Sequence, residues 1–189
     1  MKMYIFKDQR VRLRAYDPND LERFTRWWND PEVGYTQLSI RRYSTEGAAR
    51  RLERVVNEGY FFCVEALDQG DQPRHIGTCS LREPDWRNAS TEFSITIGEK
   101  DCWDRGYGTA ATRLLLEYAF GELNLHRVQL FVLGFNARAI RSYEKVGFKL
   151  EATLDDDVYR DGRFTHSYLM GILRPEWQAL YEKVGEGNV

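Results

Sequence analysis

The sequence predicts an α+β fold (mixed α/β), one mixed sheet flanked by helices. Three observations predict it. Short runs in which apolar and polar residues alternate recur along the chain and read as strands. Stripes of helical period separate the later runs, so crossover helices gather in the second half. An Asp161-Gly162 pair between two strand-like runs is the strongest local signal for a type I′ hairpin.

In chain order, residues 11–15 alternate apolar side chains with arginine, as a half-buried strand would. Asp17-Pro18 then opens a helix, with aspartate as cap and proline at the first helical position. Leu21, Phe24 and Trp28 share one face of that helix, and one of Trp27 and Trp28 is expected in the core. A second helix begins near Ser44, carries the stripe Ala48, Leu52, Val55 and Val56, and stops at Gly59. Residues 60–67 and 76–81 form a strand pair about the turn at 68–73. Residues 92–97 place Phe93, Ile95 and Ile97 on one face and Glu92, Ser94 and Thr96 on the other. A helix carrying Ala111, Leu114, Leu115, Tyr118 and Ala119 follows. Residues 128–133 are almost continuously apolar, which suits a central strand. Asn136 caps a helix that runs to Val146 and ends at Gly147, and the hairpin completes the pattern. The expected organisation is a single domain over residues 1–184 with a short flexible tail at 185–189.

Composition narrows the function. Among 189 residues, 42% are hydrophobic and 14% aromatic, enough for a core and against disorder. A net charge of −2 gives no electrostatic case for nucleic acid or an anionic membrane, and Arg41-Arg42 and Arg50-Arg51 are too small to make one. No apolar run is long enough to span a bilayer, and the start at 1–7 is too interrupted for a signal core; the expectation is a cytoplasmic protein. Cys63, Cys79 and Cys102 lack C-x-x-C spacing, and the histidines are scattered, so neither a disulfide framework nor a metal site is expected. The run Asp155-Asp-Asp157 reads as a solvated strand end, although it could also draw a polyamine.

The informative stretch is Arg105-Gly-Tyr-Gly-Thr-Ala110, at the opening of a helix. Glycines let backbone amides approach a phosphate closely, and a helix N-terminus adds a favourable dipole. Gly106, Gly108 and Ala111 also satisfy the loose dinucleotide fingerprint G-x-G-x-x-A. That reading is demoted, because the glycines come well after the strand ends and the next strand ends without an acid for a ribose.

The same stretch is followed by Asn136-Ala-Arg-Ala-Ile-Arg-Ser-Tyr-Glu-Lys-Val-Gly-Phe148. In that order the two segments resemble the GNAT N-acetyltransferase superfamily. Within it the chain is similar to the branch of ribosomal-protein alanine and spermidine acetyltransferases, to which 123–127 and 159–163 also look similar. The resemblance implies a mostly antiparallel sheet with a V-shaped splay between two central strands, and acetyl-CoA bound in it. It implies that backbone groups of Ile95, Thr96 and Ile97 pair with the pantetheine. Arg105, Gly106, Tyr107, Gly108, Thr109 and Ala110 would hold the pyrophosphate, Asn136 would lie near the cofactor arm, and Tyr143 beside the thioester sulfur. Homodimers are common in the family, though no residue here marks one.

The chemistry suits these residue types. An alkylammonium, with pKa near ~10.4, must lose a proton before it attacks, and Glu92 can take or relay it. A strand amide near Ile97 can stabilise the oxyanion, and the phenol of Tyr143 can protonate the departing thiolate. The expected function is acetyl transfer from acetyl-CoA to a primary amine in a ternary complex, without a metal. A protein N-terminus, a polyamine, an amino acid or an aminoglycoside-like amine all fit as acceptor. A non-catalytic CoA-binding domain and a dinucleotide-dependent oxidoreductase are the rival readings.

Overall fold

The computed structural model describes residues 6–38, 41–82 and 84–185. The start at 1–5 and all of the expected tail except Gly185 lie outside the described residues. The strands are β1 (Val11–Arg14), β2 (Tyr60–Ala66), β3 (Arg74–Leu81), β4 (Ser90–Ile97), β5 (Arg127–Leu133), β6 (Lys149–Arg160) and β7 (Arg163–Leu173). The helices are α1 (Leu21–Asn29), α2 (Pro31–Tyr35), α3 (Thr45–Asn57), α4 (Tyr107–Glu117), α5 (Ala137–Val146) and α6 (Arg174–Gly185). One sheet takes all seven strands in the order β1-β2-β3-β4-β5-β7-β6. Every neighbour pairs antiparallel except β4 with β5. The mixed, mostly antiparallel sheet is therefore as expected, with β5 well inside it.

Both faces of the sheet are covered. On one face Val64, Phe93, Val128, Leu130 and Ile172 pack with Ala111, Leu115 and Val146 of α4 and α5. On the other, Phe24, Trp27, Val33 and Leu52 pack against Cys63. Side chains alternate along a strand, so neighbouring residues of β2 and β4 belong to opposite layers.

Local chemistry explains the element ends. Asp17 accepts from the Asn19 amide at 2.9 Å while Asp20 accepts from the Asp17 amide at 3.0 Å, closing a 3-10 turn that leads into α1. The same Asp-Pro device recurs at Asp30-Pro31: Asp30 accepts from Glu32 and Val33 amides and starts α2, an element the sequence reading passed over. It also passed over α6, whose Trp177 stacks on Phe120 with ring centroids 5.6 Å apart. Gly147, at φ 111°, receives α5 in a Schellman pattern: its own amide donates to Glu144 and that of Phe148 to Tyr143. Asp161 and Gly162 both have positive φ (48° and 80°), as a type I′ turn requires.

Two expectations are corrected. The buried face of α1 centres on Phe24 and Trp27, with Leu21 and Trp28 only half-buried. The Trp27 ring lies over Gly98, where a Cβ would overlap it, and its N–H donates to Glu99 at 3.0 Å. Gly59 does not stop α3 by a left-handed turn; the helix has already ended, and a Cβ there would sit 2.5 Å from the Leu81 carbonyl oxygen. Gly59 is thus a close-approach glycine between α3 and β3.

Beside β1 lies a buried ion network. Arg14 donates to both oxygens of Asp20 (2.7 and 2.8 Å) and to Glu65 (2.7 Å), and Arg12 also donates to Glu65 at 2.5 Å. Burial alone would raise both carboxyls, but the arginine hydrogen bonds prevail and hold Asp20 and Glu65 below the usual carboxylate range. Asp20, Cys63 and His75 form a close trio of ligand-type atoms, yet both Asp20 oxygens already accept from Arg14, and burial pushes the Cys63 thiol up to about 12. The trio belongs to the ion network that ties the 3-10 turn at Pro18–Asp20 to β1, β2 and β3.

Candidate active site

The site starts from a fault in the sheet. β4 and β5 pair only through Ser90–Arg127, Thr91–Val128 and Glu92–Gln129, and then part. Beyond that point β4 pairs only with β3, and β5 only with β7. The bond from the Arg82 amide to the Glu92 carbonyl (2.9 Å) shows that Glu92 directs its backbone toward β3. By strand alternation Ser94 and Thr96 do the same, while Phe93, Ile95 and Ile97 turn theirs into the gap. The Ile97 carbonyl is occupied by the Trp103 indole N–H at 2.7 Å. Free main-chain groups in the gap are therefore those of Ile95 and the Ile97 amide, whereas Thr96 offers the cleft its side chain.

The start of α4 closes one end of the gap. Asp104 (φ 58°) and Gly106 (φ 81°) turn the chain sharply, and the first helical hydrogen bond runs from the Ala110 amide to the Gly106 carbonyl at 3.0 Å. The amides of Tyr107, Gly108 and Thr109 precede it and have no acceptor within the helix. The loop is braced from behind: the Tyr107 phenol donates to Asp68 at 2.5 Å and accepts from Gln69, while Arg10 lies over its ring. Burial, reinforced by Asp68, pushes that phenol up.

The cleft has a volume of about 320 Å³. It brings together Glu92, Ile95, Thr96, Ile97, Gly106, Tyr107, Gly108, Thr109, Asn136 and Tyr143. Two expected residues stand outside its lining. The Arg105 guanidinium turns to the Gln69 side-chain oxygen at 3.3 Å, and Ala110 is buried in the core with its amide already bonded. A Cβ at Gly108 would meet nothing closer than Ile97 Cγ1 at 3.8 Å and Ser142 Oγ at 4.0 Å. The fold itself does not require that glycine, so its missing side chain leaves room for a cleft occupant. A free helix start, an open glycine and an unpaired strand edge fit a long molecule with phosphates at one end and amides along it.

Tyr143 sits on α5 with its ring edge-on to Phe93 (6.1 Å, 87°) and Phe148 (5.9 Å, 62°). Burial pushes its phenol well above the usual tyrosine range. Asn136 caps α5 through the Ala139 amide at 3.2 Å. Glu92 lies on the opposite face of β4, paired with Arg82 at 3.2 Å. The sequence reading missed the basic lining: Arg138, Arg141 and Lys145 of α5 all reach the cleft. Their i, i+3, i+7 spacing was the available signal. Arg138 stacks over Trp103 at 3.8 Å; burial lowers its pKa and Asp104 opposes that.

A slot within a sheet, with helix amides at one end and a proton-bearing phenol and a carboxylate on either side, defines a group-transfer enzyme that uses a phosphate-bearing carrier. Residues 10–149 match the acetyltransferase (GNAT) domain, and the chain belongs to that family. It is 27% identical over 177 residues to the N-acetyltransferase p20 of Bacillus licheniformis, covering 89% of this chain and 96% of that one. It is 29% identical over 162 residues to a spermidine N(1)-acetyltransferase of Escherichia coli K12, covering 85% and 78%. The spermidine N-acetyltransferase of Vibrio cholerae, crystallised with CoA and spermine, superposes with a TM-score of 0.81 at 26% identity, covering 90% and 99%. The chain is thus an acetyl-CoA-dependent N-acetyltransferase. The dinucleotide reading falls, since the glycine loop opens onto a splayed strand edge rather than closing a doubly wound βαβ turn. Among the described residues no helix is long and apolar enough to cross a membrane.

Proposed function

We propose that this cleft transfers acetyl to a primary amine with Tyr143 as general acid and Glu92 as the base or proton relay. The observation that carries the reading is that the start of α4, the free edge of β4, Tyr143 and Glu92 all line one cleft. When bound, acetyl-CoA supplies a thioester whose acyl carbon an amine can attack. The amides of Tyr107, Gly108 and Thr109 hold phosphate, helped by Arg138 and Arg141. Ile95 offers hydrogen bonds to the pantetheine, and Asn136 flanks it. The Ile97 N–H donates to negative charge growing on the acyl oxygen. Glu92, held by Arg82, removes the ammonium proton directly or through water. Tyr143, kept protonated by burial, supplies the proton to sulfur.

The names of the spermidine acetyltransferase relatives support a small soluble amine as acceptor. Three free, buried cysteines support a reducing, cytoplasmic setting. The test is thiol release from acetyl-CoA against a panel of amines, with acetyl-CoA binding followed by thermal shift in the same samples. Stabilisation together with amine-dependent thiol release is expected; absence of any stabilisation would overturn the reading.

A further inference from the structure

We infer that the acceptor amine is carried on a molecule that also bears a carboxylate, and that Arg51 is the specificity residue that receives it. The inference rests on the transferase function proposed above and names its substrate class. Glu92, Ser94 and Thr96 face the layer formed by α1 and α3, so the amine enters from that side. The wall there is basic, with Arg41, Arg51 and Arg82 in the lining. Among the described residues of the lining the carboxylates are Glu92, which Arg82 already pairs with at 3.2 Å, and Asp104, which lies toward Arg138 at the α4 end.

Among the described residues no carboxylate pairs with Arg51. Its guanidinium carbon lies 5.0 Å from the Trp28 ring centroid and 5.4 Å from that of Tyr43, and one terminal nitrogen donates to the Tyr43 hydroxyl at 3.1 Å. Its Nε is buried and has no hydrogen-bond partner among the described residues. Stacking on aromatic faces fixes the plane of the guanidinium while leaving donors unused, and a planar fork of N–H groups matches a carboxylate. The second terminal nitrogen likewise has no partner among the described residues, and Arg51 lines the cleft, so an anion that reaches this fork is favoured.

The same wall opposes a polyamine. A polycation entering here meets Arg41 and Arg51, while the Glu92 carboxylate is already held by Arg82, a like-charge arrangement that discriminates against it. The acidic run Asp155-Asp-Asp157, which could have drawn a polycation, is exposed on β6 and outside the cleft lining.

The experiment measures kcat/KM by thiol release for pairs that differ only in the anion, with spermidine alongside. One arm compares free amino acids with their carboxamides; a second compares peptides that begin with Asp or Glu with those that begin with Asn or Gln. The better arm tells a free amino acid from a peptide N-terminus. A charge-assisted pair predicts that the carboxylate member wins by about tenfold or more, and that spermidine falls below it. In Arg51→Gln that ratio collapses to within about threefold of unity through KM, and Arg51→Lys restores part of it. Calorimetric titration with acetyl-CoA gives the same Kd in each variant. Preference for spermidine, indifference to the carboxylate, silence of both carboxylate arms with acetyl-CoA bound, or an unchanged ratio in Arg51→Gln overturns the inference and leaves the transferase assignment standing. Failure of the wild-type chain to bind acetyl-CoA overturns both.

Discussion

Replacing Tyr143 by Phe removes one oxygen and keeps the ring, so its effects on fold and chemistry separate cleanly. The ring is buried, 8% exposed, and held edge-on between Phe93 and Phe148, contacts that phenylalanine reproduces. No hydrogen bond to that hydroxyl exists among the described residues, so Tm should move by no more than the ~2–4 °C that 1 kcal/mol represents at this size. The groups proposed to bind acetyl-CoA are the start of α4, the edge of β4 and, on α5, Asn136, Arg138 and Arg141, none of them the Tyr143 hydroxyl, so its Kd should stay within about threefold. Turnover is different. A positioned general acid contributes roughly 10²–10⁴-fold, or ~2.7–5.4 kcal/mol at 1.36 kcal/mol per decade. The assay is steady-state thiol release with the best amine, paired with calorimetric acetyl-CoA titration and thermal melting of both proteins. A variant that binds acetyl-CoA normally and keeps kcat within about threefold of the wild type would refute the role assigned to Tyr143.

Gly108→Ala should fold normally, since the nearest atoms to a new Cβ are at ordinary contact distance, yet weaken acetyl-CoA by about threefold or more through crowding of the helix start; unchanged affinity in a titration would argue that phosphates bind elsewhere. Gly77→Ala should lower stability by about 1–3 kcal/mol in urea denaturation, because the added Cβ would lie 3.0 Å from Ile97 Cα and closer still to the Thr96 carbonyl oxygen. Arg14→Met should cost about 3–5 kcal/mol near neutral pH by leaving Asp20 and Glu65 buried without their shared partner. Both carboxyls are held low in the folded protein, so their contribution is present above the unfolded values of about 3.9–4.3 and fades as pH falls through the folded ones. The gap between variant and wild type should therefore narrow below about pH 4, and a gap that stays constant with pH would contradict the ion-network account.

Much of the architecture was legible because short-range rules governed it. The alternation in 92–97, the apolar run at 128–133, the Asn136 cap and the Asp161-Gly162 turn each follow from a few neighbouring residues, and the structure contains the corresponding strands, helix and hairpin. The face of α1 was misjudged because its orientation depends on Gly98, a residue far along the chain that makes room for Trp27. The helix α2 announced itself with the same Asp-Pro pair as Asp17-Pro18, but at five residues it carries too little periodicity to stand out. Most of the residues proposed for the site do meet in one cleft, since the motif that suggested them is local to two helix starts. The setting of Arg51 was invisible for the opposite reason. Trp28, Tyr43 and Arg51 come from α1, a connecting segment and α3, and only packing brings their rings and guanidinium together.

The parting of β4 and β5 has a consequence beyond the chemistry. Bare strand edges usually lie at the rim of a sheet, where they invite other chains to add on. Here two such edges are kept in the interior of the sheet, in a cleft that α4 and α5 help to line. The rim of the sheet is formed by β1 and β6, so the pairing groups that β4 and β5 leave free are offered inside the cleft rather than along the border.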